Sequence, residues 1–144
     1  MNARTHYLLW AAAGLLMAAA APADADQPAA KKKCPFAGTY SGTYTFMSGN
    51  GDQEGLVTLM TIDDNGNITG ESKDTSNDTI TKIKGTVLKD SKVADVFEFP
   101  TGQKVTAFGT ISKTAAGGLT GTLTQRVGTT AVGSIEFDLK PKSK

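Results

Sequence analysis

With 144 residues, 39% of them hydrophobic, and a formal net charge of +1 at pH 7, the chain is sized for one domain that can bury a core of its own. Between residues 34 and 139 there are eight Lys/Arg and twelve Asp/Glu, while further lysines sit at residues 31–33 and at Lys140, Lys142 and Lys144; a mildly acidic body with basic ends excludes a nucleic-acid-binding face, and no nucleic acid partner is expected. His6, Trp10 and Cys34 are the only residues of their kinds, which excludes an internal disulfide and, once the N-terminal segment is removed, excludes His-based triads, imidazole bases and His-ligated zinc or haem.

In chain order, Arg4 precedes an uncharged apolar run over residues 8–21, and Ala21-Pro22-Ala23 and Ala23-Asp24-Ala25 offer small residues for cleavage. This pattern predicts a secretory signal peptide over residues 1–25 and an exported protein, periplasmic or extracellular. The run is shorter than the roughly 20 apolar residues that cross a bilayer, so no transmembrane span is expected in the mature chain. Residues 26–35 read as a flexible basic leader. The lysines at 31–33 argue against lipidation of Cys34, leaving a buried or capped thiol, with an intermolecular disulfide as the alternative.

Eight segments with strand character follow. Residues 36–47 alternate, with Phe36, Gly38, Tyr40, Gly42, Tyr44 and Phe46 on one face and mostly threonine on the other. Residues 56–62 are apolar on both sides, as for a strand covered twice or packed beside a loop. Asp63-Asp64-Asn65-Gly66-Asn67 predicts a hairpin through a type I′ turn into strand 67–73. After a polar loop at 74–78 come strand 79–88, centred on Ile83, Gly85 and Val87, and strand 93–99, where Val93, Phe97 and Phe99 share a face with Asp95. Pro100-Thr101-Gly102-Gln103 turns into strand 104–113, and strands 119–127 and 131–140 complete the domain at 36–140, ahead of a basic tail at 141–144. Gly85, Gly109, Gly121 and Gly133 fall on one twelve-residue register, with Phe97 in the remaining slot. Period two within a repeat of twelve means strand plus turn, repeated.

The expected fold is therefore an all-β, single-domain antiparallel meander. Short connections make sequence neighbours antiparallel neighbours, and eight such strands hide their edges most economically by closing into an up-and-down barrel. A two-sheet β-sandwich is the alternative. Glycines on the inner face favour closure, since they permit the bending that barrels need.

Among candidate sites, carboxylate pairs come first. Asp95 and Glu98 lie on opposite faces of their strand, and Glu136 and Asp138 share the polar face, so neither makes a glycosidase pair. Asp95 stands apart because the alternation turns it inward beside Phe97 and Phe99; it either reaches water or a lysine near the strand end or serves as a polar anchor in a ligand cavity. Asp63-x-Asn65-x-Asn67 starts like a calcium loop, but Ile68 occupies the position that needs Gly and Asp74 the one that needs Glu, so a hairpin is the better reading. No metal and no cofactor are expected. The sequons at Asn67 and Asn77 matter only in a glycosylating host.

The meander, with Gly38-Thr39-Tyr40 opening its first strand, resembles the calycin type of barrel, the lipocalins and avidin-like proteins, whose first strand carries Gly-x-Trp. Here Tyr40 takes the place of Trp, the lipocalin Thr-Asp-x-Arg motif is absent, and a biotin cage of the avidin kind would need tryptophans that the mature chain lacks. The resemblance implies a shape with an internal ligand site. A noncatalytic binding module is expected, holding a small apolar or aromatic ligand among Tyr40, Tyr44, Phe46, Asp95, Phe97 and Phe99. The alternative is an envelope-associated protein-interaction or inhibitor-like module that meets a protein partner through the connections at 48–54, 74–78, 100–103 and 128–130, which alternation places at one end. An enzyme, dependent on Asp95, comes third.

Overall fold

The computed structural model describes residues 31–143; the signal peptide expected at 1–25 and the start of the leader lie outside the described residues. Eight strands follow one another: β1 (Gly38–Ser48), β2 (Gly51–Ile62), β3 (Asn67–Asp74), β4 (Ile80–Val87), β5 (Lys92–Glu98), β6 (Lys104–Lys113), β7 (Leu119–Val127) and β8 (Thr130–Pro141), with one 3-10 turn, Lys89–Ser91, before β5. Each strand pairs antiparallel with the next, and β8 returns to β1 over the register Tyr40↔Pro141 to Met47↔Ser134. The sheet is a closed up-and-down barrel, and the two-sheet sandwich is thereby corrected: closure leaves neither edge unpaired, which an open sandwich does not achieve.

Alternation sorts the side chains. Tyr40, Val57, Ile68, Ile83, Val93, Val105, Leu119, Ile135 and Leu139 face the interior and are buried, whereas Thr43, Thr86, Thr110 and Thr122 are exposed. The threonine rows therefore serve as β-branched strand formers on the solvent face.

Three local expectations are corrected. The connection expected at 48–54 is a tight hairpin, with Ser48 paired to Gly51, because the ladder continues through polar Asp52, Gln53 and Glu54, which need no core to stay hydrogen-bonded. The strand expected to be covered on both faces is covered on one: Val57, Met60 and Ile62 are buried, Leu56 and Leu59 are each 41% exposed, and a register shift between Val57 and Leu59 explains the broken alternation. The Asp63 turn is not type I′. Gly66, at φ 87°, has positive φ while Asn65 does not, Gly66 N donates to Asp63 O, and Asp63 N donates to Asn67 O. That is a three-residue loop closed by a glycine in the left-handed region. The same bonds recur at Phe99/Gln103 around Gly102 and at Thr114/Gly118 around Gly117.

Up-and-down order gives the barrel two dissimilar ends. One collects the β2–β3, β4–β5 and β6–β7 connections and is plugged by the residues ahead of β1. Lys33 pairs with Asp64 at 3.0 Å, Cys34 N donates to Asp64 O, and Lys113 Nζ, at the end of β6, donates to Pro35 O. These anchors lie three to four strands apart around the wall, so the segment crosses the end, with Phe36 buried beneath it and the Tyr40 hydroxyl donating to Phe36 O at 2.7 Å. Cys34 is a free, half-buried thiol against this core. The other end collects the β1–β2, β3–β4, β5–β6 and β7–β8 connections, the four that the sequence places together.

Candidate functional site

The inward positions change character along the strands. Toward the plugged end they carry Ile62, Ile68, Val93, Ile111, Leu119 and Leu139; toward the other they carry Ser72, Thr81 and Gln125, all buried, together with rings. The second set encloses a cavity of about 340 Å³. Gln53 and Asn77, both exposed, mark its mouth, while Met60, Ile83 and Asp95 lie deeper along their strands. The volume sits at the lower end of the roughly 300–1,000 Å³ range of small-molecule sites.

Of the six residues expected to hold a ligand, Tyr44, Phe46, Asp95, Phe97 and Phe99 come together on the cavity wall. Tyr40 does not: it is 2% exposed in the plugged half, and its hydroxyl is bound to Phe36 O. Tyr40 shares a face with Tyr44 and Phe46, but a strand as long as β1 runs from one end of the barrel to the other, and only its second half reaches the cavity. Ser72, Thr81, Gln125 and Phe137 also line the wall, and the sequence reading passed over them. Their signal was parity: each stands an even number of positions from an inward residue of its own strand, Ile68, Ile83, Leu123 and Ile135 respectively.

Asp95 is the unusual member. It is 4% exposed, and its Oδ1 is buried without a hydrogen-bond partner among the described residues. It pairs with no lysine among the described residues, and two further inward rings, Phe97 on β5 and Phe99 just past its end, lie between it and the open end. Burial raises its pKa from the ordinary 3.8 to about 7, since no neighbouring cation or donor among the described residues opposes the desolvation. The carboxyl fits because its cross-strand partners are small: Gly85 on one side, where an added methyl would overlap Asp95 Oδ1, and Ala107 on the other. Gln125 follows Ala107 in the same cross-strand row, roughly 10 Å of sheet away from Asp95 at about 4.8 Å per strand.

The glycine register does not hollow the barrel in the simple sense. A methyl at Gly121 would meet Phe137 Cζ at 2.6 Å and one at Gly133 would meet Phe46 Cζ at 2.6 Å, so these glycines are covered by aromatic rings from adjacent strands. The cavity is the space that remains beyond those rings.

At the mouth, Asp74 accepts hydrogen bonds from Ser76 N at 2.8 Å and Ser76 Oγ at 2.6 Å, which hold its carboxyl below the ordinary range. Burial, reinforced by the charge of Asp74, pushes the Tyr44 hydroxyl above its ordinary value of 10. The remaining acidic residues considered as pairs do not converge on the cavity: Glu98, Glu136 and Asp138 are exposed on the outer face. At the Asp63 turn the carboxylate accepts from Asn65 N, Asn67 N and Asn67 Nδ2 at 2.8–2.9 Å, so its oxygens serve the hairpin. Among the described residues no group of three or more His, Cys, Asp or Glu is placed to hold a metal ion, and no helix is long and apolar enough to cross a membrane.

Compared with known proteins, the chain matches no family model, no curated protein and no solved structure.

Proposed function

We propose that the chain is an exported, noncatalytic binding protein of calycin-like architecture that takes a small apolar or aromatic molecule into the open half of its barrel. The observation that carries this reading is the asymmetry of the interior: one half is filled by aliphatic side chains with Phe36 and Tyr40 and is plugged, while the other keeps a cavity of about 340 Å³ lined by five aromatic rings, Tyr44, Phe46, Phe97, Phe99 and Phe137. A barrel that needed only stability would gain by filling that space, because an empty apolar volume forfeits dispersion contacts. The Gly38-Thr39-Tyr40 opening of β1 and the N-terminal export pattern support the calycin-like architecture and the periplasmic or extracellular location.

The test is a solution one. An apolar fluorescent naphthalene dye should bind with one-to-one stoichiometry, and Leu123→Trp, which puts a large side chain into the cavity, should weaken binding at least about tenfold in protein with an unchanged circular dichroism spectrum. Dye binding that is indifferent to filling the cavity would count against this reading.

A further inference from the structure

Among the described residues the charges on the cavity wall are of one sign: Asp95 lies deep in it and Asp74 at its mouth, and no Lys, Arg or His of these residues lines it. Lys82 and Lys84 on β4, Lys92 on β5 and Lys104 on β6 are on the exposed outer face, as is Glu98 of β5, and Lys73, beside Asp74, pairs with Asp78 at 2.8 Å. Behind the mouth the wall consists of ring faces and aliphatic groups, with Ser72, Thr81 and Gln125 as the uncharged polar members.

Each ligand charge type meets this wall differently. An anion would face two carboxylates and no cation, a repulsion strengthened by the low dielectric of the interior. A neutral apolar molecule would take the remaining solvent from the Asp95 carboxylate and bring no partner charge, which is costly for a group already 4% exposed. A cation gives the Asp95 carboxylate an opposite charge on the wall, and the aromatic faces of Phe97 and Phe99 attract it in addition. Size narrows the class further: at the lower limit of small-molecule sites, the volume suits a single ring or short aliphatic body with a short arm.

Resting on the reading of the cavity as a ligand site, we propose that its ligand class is a small organic amine, with the protonated nitrogen paired with the Asp95 carboxylate on the cavity wall and the apolar body packed among the rings. Gln125, in the same cross-strand row, offers an amide to a polar group at the far end of such a molecule.

Three probes of nearly equal shape and different charge separate the possibilities: 2-phenylethylamine, 2-phenylethanol and phenylacetate, titrated calorimetrically into the full chain at pH 8. The amine should bind at least about tenfold more tightly than the alcohol, and phenylacetate should bind most weakly. Asp95→Asn should bring the amine down to the affinity of the alcohol. In the unaltered protein the amine should lose about tenfold in affinity between pH 8 and pH 6 while the alcohol changes little, because Asp95, with its pKa near 7, takes up a proton over that interval. The other titratable groups on the wall hold their charge there, Asp74 ionised below the interval and Tyr44 protonated through it.

Alcohol or phenylacetate binding as tightly as the amine would overturn the amine assignment, as would an Asp95→Asn variant that binds amine like the unaltered chain. Should that variant fail to fold, the pH series on the unaltered chain decides, and an amine affinity independent of pH overturns the assignment. If the naphthalene dye binds and none of the three probes does, the amine assignment falls alone. If the dye fails as well, the cavity reading falls with it.

Discussion

At the plugged end of the barrel the buried hydroxyl of Tyr40 donates to Phe36 O at 2.7 Å, and its neighbours Ile62, Ile68, Leu119 and Leu139 are at most 3% exposed. At the open end, on the same strands and by the same alternation, the buried polar groups are Ser72, Thr81 and Gln125 around a cavity, and the Asp95 carboxylate below them has an oxygen with no partner. The plugged half meets the ordinary requirements of a core, close packing and satisfied polar groups. The open half violates both in one place. Violations confined to one region, while the rest of the chain is consistent, are what a binding site looks like in physical terms.

The largest effect that should separate the halves is a pair of identical truncations on β7. Leu119 is 0% exposed in the plugged half, and Leu123, four residues on, lines the cavity. Leu119→Ala should cost about 3–5 kcal/mol and Leu123→Ala about 2–3 kcal/mol, because the second enlarges a space that already exists and the first opens a new one. Urea unfolding at fixed pH measures both. Equal costs would mean that the two halves are packed alike.

Next in size is Asp95→Asn. The folded-state pKa of Asp95 stands at about 7, above its ordinary 3.8. Between about pH 4 and pH 7 the folded chain therefore binds more protons than the unfolded one, so this group lowers stability as pH rises through that window. The loss is complete above about pH 7 and is on the order of 4 kcal/mol. Asp95→Asn should raise stability at pH 8 by about 2–4 kcal/mol, have little effect at pH 4, and flatten the profile between. The smallest effect belongs to the plugged end: Tyr40→Phe removes the bond to Phe36 O and should cost about 1 kcal/mol, with no change in dye binding, because Tyr40 does not line the cavity.

The barrel itself was legible in the sequence to a large degree, because period-two alternation and hairpin-sized connections leave few other solutions. Five of the six candidate ligand residues also share one cavity, since parity fixes the face on which a side chain lies. What parity does not fix is depth. Tyr40, Tyr44 and Phe46 are equivalent by alternation, and only the position of the plug, built from Lys33, Pro35 and Phe36 through bonds to Asp64 and Lys113, separates the first from the other two. The Lys113–Pro35 contact joins residues 78 positions apart, which no local pattern reveals. The glycines were likewise half readable. Their inward placement follows from the register, but that Phe137 and Phe46 cover Gly121 and Gly133 depends on which strands pair across the closed sheet. Ser72, Thr81 and Gln125 were passed over for a different reason: a polar residue at an inward position resembles a local fault in the pattern until several of them gather at one end.

The comparison turns on the state of Asp95, and that can be read directly. A carboxyl-carbon NMR titration of the full chain, with and without 2-phenylethylamine, follows this one group through its protonation. The midpoint should lie near pH 7 in the free protein and fall to lower pH when the amine is bound. A midpoint near the ordinary 3.8 in the free protein, or one that saturating amine leaves unmoved, would contradict this expectation.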